Sequence, residues 1–205
     1  MNFIYFYTFI VFSYSAASQN ADIEYLYQIQ NHRNASHYSL MNGLSVSVYP
    51  VGFLMPVSYF TMAYIFKDSV LLQKSWQSVV SVGSSILINT GIKYIINRQR
   101  PYEQYSQIIP LQREHTPSFP SGHTSTAFNI ATFLSLNYPK WYVIFPSYIY
   151  AISVGYSRLY MGVHYPSDVL MGAFVGAGTA YLTYIGYKKY FQKKLKSKAK
   201  YDIYH

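Results

Sequence analysis

Residues 34–66 read NASHYSLMNGLSVSVYPVGFLMPVSYFTMAYIF, thirty-three consecutive positions without an Asp, Glu, Lys or Arg. A helix on the surface of a water-soluble protein normally shows a charged face, and this stretch has none over about nine turns. The pattern recurs at 1–21, 75–92, 115–139, 141–157 and 169–187, in runs of 21, 18, 25, 17 and 19 residues. Roughly 17–25 apolar residues span the hydrocarbon core of a bilayer. The succession predicts an all-α, membrane-embedded helical bundle. Its transmembrane helices number about five, near 46–66, 76–97, 122–137, 141–156 and 168–187.

The first run is of a different kind. Phe3 to Phe12 is apolar apart from Thr8 and precedes Ser15-Ala16-Ala17-Ser18. A short apolar core before small residues reads as a secretory signal peptide over 1–17, and the absence of Lys or Arg ahead of it leaves an uncleaved sixth helix open. Residues 18–45 then read as a polar extracytoplasmic segment, 46–187 as the helical domain and 188–205 as a basic cytoplasmic tail.

Composition excludes other classes. With 51% hydrophobic residues, 11% charged and no Cys, the 205-residue chain is neither disordered, collagenous nor a disulfide scaffold. The net charge of +9 is a property of the tail, since seven of the sixteen Lys and Arg residues are lysines between Lys188 and Lys200. A nucleic-acid partner is therefore not expected; a short basic end fixes topology and touches anionic lipid.

Counting crossings from an outside Asp22 leaves the last helix ending in the cytoplasm, where the lysine tail begins. Lys67, Lys74 and Lys140 fall on the same inner side, as the positive-inside bias requires. Loops 98–121 and 157–167 then face outward, and they hold Arg98, Arg100, Arg113 and Arg158 against that bias. Something in these loops needs positive charge.

Three patterns occupy that side. Lys93 precedes Arg100-Pro101 by seven residues, about two helical turns, so both cations are expected on one helix face with Pro101 ending the helix. Such a pair suits an anion, or snorkels to separate lipid headgroups. Pro120-Ser121-Gly122-His123 stands directly before an uncharged run, where Ser121 can cap a helix and Gly122 lets backbone N–H groups approach a ligand. Ser157-Arg158 is followed by His164 and, four residues on, by Asp168. At that spacing the carboxylate can fix the imidazole tautomer and leave the other nitrogen as base or nucleophile. Singly, each pattern is also read as a helix cap or a loop. A third metal ligand at suitable spacing is missing, so no metal is expected.

Together, Lys93, Arg100, Pro101, Pro120, Ser121, Gly122, His123, Ser157, Arg158, His164 and Asp168 resemble the signature of the type 2 phosphatidic acid phosphatase and vanadium haloperoxidase superfamily. The resemblance covers about 46–187 and is to the small bacterial membrane members. It implies a phosphatase domain there, and metal-independent hydrolysis of a phosphate mono- or diphosphate ester of a membrane lipid. Polyprenyl diphosphate, phosphatidylglycerophosphate, phosphatidic acid and lipid A are the candidate substrates. By the same resemblance, His164 forms a phosphohistidine, Asp168 orients it and His123 is the general acid. Lys93, Arg100, Arg158, Ser121 and the Gly122 amide hold the phosphoryl oxygens, without a cofactor. The implied place is a bacterial inner membrane, with the site facing the periplasm or outside. Arg98 and Arg113 read as headgroup contacts, and Glu114 and His115 as loop residues. A vanadate-dependent haloperoxidase and a non-catalytic lipid-headgroup-binding protein remain alternatives.

Overall fold

Where the first long apolar run ends, Lys67 takes a left-handed backbone (φ 49°) and Asp68 starts the next helix. Its carboxylate accepts from the Val70 amide at 2.7 Å and the Leu71 amide at 3.2 Å. Asn34 and Ser121 satisfy free N–H groups at two other helix starts in the same way, while the helices that begin at Tyr38 and Trp141 have no side-chain cap. The computed structural model describes residues 22–204, with side chains as far as Tyr190; the expected signal peptide or first helix at 1–17 lies outside the described residues.

The described residues hold seven α-helices, one short 3₁₀ helix (Ala35–His37) and no strand: α1 (22–31), α2 (Tyr38–Phe66), α3 (Ser69–Ile96), α4 (Pro101–Gln104), α5 (Gly122–Asn137), α6 (Trp141–Tyr160) and α7 (Pro166–Tyr204). The segment read as simply polar thus contains a helix, and α2 begins at Tyr38, ahead of the expected 46. The backbone of the basic tail continues α7 without a break.

The chain is an all-α membrane protein, and α2, α3 and α7 are long and apolar enough to cross a bilayer. Of the other two expected crossings, α5 has 16 residues. At 1.5 Å per residue it is about 24 Å long, short of a ~30 Å hydrocarbon core. It is the centre of the bundle, packing most extensively on α7 and then on α6. The interior is polar where a soluble core would be apolar. Asn129 on α5 donates to the Ser81 carbonyl at 3.1 Å, the Gly176 carbonyl at 3.3 Å and Thr179 Oγ1 at 3.0 Å, knotting α3, α5 and α7 together. Large apolar side chains point the other way, with Leu87 75% and Phe174 73% exposed toward the lipid position. In lipid, helix association relies on such hydrogen bonds and on close backbone approach.

Close approach is carried by Gly172 and Gly176, one turn apart on α7. A Cβ at Gly176 would lie 2.0 Å from the Ser125 carbonyl oxygen, and one at Gly172 would lie 2.6 Å from that of Ser121. Gly176→Ala must separate α5 from α7, and overpacking of this kind costs about 1–3 kcal/mol or more. Its expected result is a melting temperature in detergent several degrees below that of the parent, whereas Gly178→Ala, which meets nothing within 4 Å, should melt with the parent.

The bundle has two distinct ends. One carries Lys67, Lys74 and Lys140, with the Lys74 ammonium 4.0 Å from the Tyr138 ring centroid. The other gathers α1, α4, the 105–121 loop and the turn between α6 and α7. The loop is stitched to that turn by Leu111 N–H donating to the Met161 carbonyl at 3.0 Å.

Candidate active site

His164 sits in the turn before α7, and Gly162 (φ +71°) makes the reversal that aims it inward. Asp168 in the first turn of α7 accepts from His164 Nδ1 at 3.3 Å and from the Tyr165 amide at 2.9 Å, both through Oδ2. Ser118 Oγ donates to the same oxygen. A carboxylate fixed on three donors holds the proton on Nδ1, so Nε2 keeps its lone pair. His164 is buried, only 1% exposed. That burial, opposed by the Asp168 bond and reinforced by Arg100, pushes the imidazole down to about 4, so it is uncharged at neutral pH.

Arg100 also departs from the expected geometry. The Lys93 helix stops at Ile96 because Asn97 turns left-handed (φ 47°), and Pro101 opens α4 instead of ending α3. Both cations nevertheless reach one place, since Lys93 Nζ donates to the Pro117 carbonyl and Arg100 NH2 donates to the same oxygen at 3.4 Å. Arg100 is 1% exposed, donates to the Val163 carbonyl at 2.8 Å and lies 3.4 Å from His164 Nε2. Arg158, fully buried on α6, meets it through Glu114. One Glu114 oxygen pairs with Arg100 NH2 at 3.1 Å and the other with Arg158 NH2. Burial alone would raise the Glu114 carboxyl, but Arg158 and Arg100 outweigh it and hold the group down at about 2. Arg158 Nε is buried without a partner among the described residues.

Ser121 caps α5 as expected, accepting from Thr124 N at 3.5 Å and Thr124 Oγ1 at 2.9 Å, while its amide donates to the Asp168 carbonyl at 3.0 Å. Next to it, Gly122 leaves no spare room: a Cβ there would lie 3.3 Å from Tyr49 Oη. His123, half-buried, packs its ring 4.7 Å from the ring of Tyr49 and has no hydrogen bond among the described residues. Direct bonds thus tie the three sequence patterns into one site, Arg100 to His164 and Ser121 to Asp168. Beside it lies a cavity of about 160 Å³, open between α2, α3 and α5 and lined by Tyr49, Asn89, Lys93 and Gly122.

A family model described as the PAP2 superfamily matches residues 74–192, the stretch that holds every one of these motif residues. The chain belongs to the PAP2 superfamily. Among its PAP2 relatives, an undecaprenyl-diphosphatase of Sulfolobus acidocaldarius is 35% identical over 106 residues, 51% of each chain. A lipid A 4'-phosphatase of Bacteroides thetaiotaomicron is 32% identical over 105 residues, 48% of this chain and 46% of that one. The matches thus span about half the length of these relatives. A transmembrane PAP2-type phosphatidylglycerolphosphate phosphatase from Bacillus subtilis superposes with a TM-score of 0.69 at 27% identity, covering 92% of this chain and 94% of its own.

Two residues of this PAP2 site have partners that the sequence did not reveal. Arg98, taken as a headgroup contact, donates to Asp168 Oδ1 at 2.7 Å. Glu114, taken as a loop residue, bridges the two buried arginines. Asp22 joins them from α1, pairing with Arg98 at 3.2 Å. Their partners lie between 14 and 76 residues away in the chain, and no spacing rule reaches that far.

Proposed function

We propose that the protein hydrolyses a phosphate mono- or diphosphate ester of a membrane lipid through a phosphohistidine on His164, without a metal. The observation that supports this reading most directly is the charge imbalance around Glu114. Lys93, Arg100 and Arg158 supply three positive charges, Glu114 one negative, and a buried Arg158 N–H has no acceptor among the described residues. Buried charge is tolerated when paired, so the pocket calls for an oxyanion of about two charges. A phosphoryl group supplies that charge, and the Glu114 carboxylate already sits between the guanidinium groups as an oxyanion would.

A phosphoryl group held by Arg100 lies against the His164 Nε2 lone pair. Attack there forms the N–P bond and breaks the P–O bond to the lipid, with His123, as the imidazolium, giving a proton to the leaving oxygen and becoming neutral. Water then breaks the N–P bond while His123 takes back a proton. Phosphoryl transfer depends mostly on positioning and on stabilising charge, which the cations and the α5 N-terminus with Ser121 and Gly122 provide. An undecaprenyl diphosphate, a phosphatidylglycerophosphate and a lipid A phosphate are the leading substrates, because relatives are named for them; phosphatidic acid completes the set.

The test is inorganic phosphate release by detergent-purified protein in EDTA, from those four lipids and a soluble aryl phosphate. Release in EDTA is expected, and the ranking identifies the substrate. Release that needs added metal, or none at all from folded protein, overturns the reading.

The site faces the periplasm or outside in this proposal, with the Lys67, Lys74 and Lys140 end in the cytoplasm. With no native Cys, single cysteines report topology directly. Pro110→Cys should react with an impermeant maleimide on intact cells, and Ser197→Cys only after permeabilisation. The opposite pattern inverts the orientation.

A further inference from the structure

Asp168 uses Oδ2 for His164, Tyr165 and Ser118, and its other oxygen holds a partner that the phosphoryl chemistry does not employ. Arg98 NH1 donates to Oδ1 at 2.7 Å and to Ser167 Oγ at 2.7 Å, and its guanidinium carbon lies 3.8 Å from the Tyr165 ring centroid. Arg98 NH2 pairs with Asp22 Oδ2 at 3.2 Å. Asp22 belongs to α1, ahead of the family-matched stretch 74–192, and is 7% exposed. Its Oδ1 accepts from the Ser167 amide at 3.0 Å, and Ser167 Oγ donates to its Oδ2. One acidic side chain therefore grips both the first turn of α7 and the arginine behind Asp168.

We propose that Asp22 and Arg98 are positioning residues for His164, forming with Asp168 an alternating chain in which Asp22 prevents Arg98 from cancelling the charge that Asp168 presents to the imidazole. The inference rests on the phosphohistidine reading above. Arg98 and Asp168 alone sum to zero; with Asp22 the group carries one negative charge. His164 needs that charge because its ring becomes cationic on taking the phosphoryl group, in a site that is 1% exposed. The other groups facing it are Arg100 at the start of α4, Arg158 on α6, Glu114 on the loop and His123 on α5. Both arginines oppose positive charge on the ring, and Glu114 is already committed to them. The charge behind Asp168 is what remains to decide the matter. Geometry adds to charge: Asp22 bonds the residue next to Asp168, so the carboxylate is held by its neighbour's backbone as well as by Arg98.

Asp22→Asn tests this, with Asp22→Glu as the rescue and Arg98→Met as the second break in the chain. The full-length protein in detergent is assayed for kcat, KM and the acid limb of kcat/KM, and the His164 imidazole is titrated by ¹⁵N NMR. For Asp22→Asn, kcat is expected to fall about tenfold, the lower end of what losing an outer partner of a functional imidazole costs, with KM little changed. The His164 titration and the acid limb should both move to lower pH, since a negative charge that favoured the protonated ring is gone. Asp22→Glu should recover most of kcat, and Asp22→Asn should add little once Arg98 is Met. Full kcat and an unmoved His164 titration in folded Asp22→Asn overturn the inference, as does a lowered melting temperature with full activity in the folded fraction. If the parent protein releases no phosphate from any substrate, the phosphatase reading fails, and the titration alone then decides: an unmoved His164 refutes the charge chain and a downward shift supports it.

Discussion

His164→Ala is expected to bring phosphate release down to background, a loss of at least about 10⁴-fold, because the residue that would carry the covalent intermediate is gone. Burial makes the experiment more demanding than a loop position facing water would. At 1% exposed, the ring fills space between Arg100 and Asp168, and Ala leaves a void beside two charges. His164→Gln keeps most of the volume and a polar group near Asp168, yet it provides no ring nitrogen for attack. Both variants should be equally inactive, and Gln should melt closer to the parent. Activity retained in either one removes His164 as nucleophile. The parent carries a linked pH prediction. With the imidazole pushed down to about 4, its nucleophilic neutral form persists well below the ordinary histidine range. As pH falls, kcat/KM should therefore begin its acid decline nearer pH 4 than pH 6.5, and a decline centred at 6.5 means that a different group, or an exposed His164, controls it.

Much of this molecule is legible in the sequence, and the reasons are physical. Charge-free runs found the helices because lipid tolerates no charged face, and the α5 start at Gly122 followed from the capping Ser121. Helix ends were less legible. The expectation that Lys93 and Arg100 share one helix failed at Asn97, whose left-handed turn is permitted to an Asn but not demanded by it. The two cations converge all the same, because both are gathered by carbonyls of the 116–117 turn. Charge counting also predicted that the outer loops need positive charge, without showing what balances it. Glu114 and Asp22 supply the answer, and neither has a local signature: Asp22 looks no different from Glu24 two residues on, and each acid is defined only by the arginines that folding brings to it.

The second large effect concerns His123, whose loss is expected to depend on what leaves. A general acid contributes typically 10²–10⁴-fold, and only where the leaving oxygen needs a proton. For His123→Ala, release from a lipid phosphate should fall about 10³-fold, while first-turnover release of the phenol from an aryl phosphate with a strongly acidic phenol should fall about 10-fold or less. The geometry is suited to this role. The ring is held by packing against Tyr49 at 4.7 Å, with no hydrogen bond among the described residues, so its nitrogens stay available to a substrate. It also stands on the first turn of α5, beside the capping Ser121 and across the site from His164 on its own turn. Single-turnover assays divide the effect further. With the aryl ester the variant should still phosphorylate His164 at near-parent rate, then dephosphorylate slowly, because the same ring must activate water in the second step. A phosphoenzyme should accumulate there and be trapped by acid-sparing, alkaline quench, in which phosphohistidine survives. An equal loss for lipid and aryl esters, with no trapped intermediate, would assign His123 to holding the phosphoryl group and leave the proton to another donor.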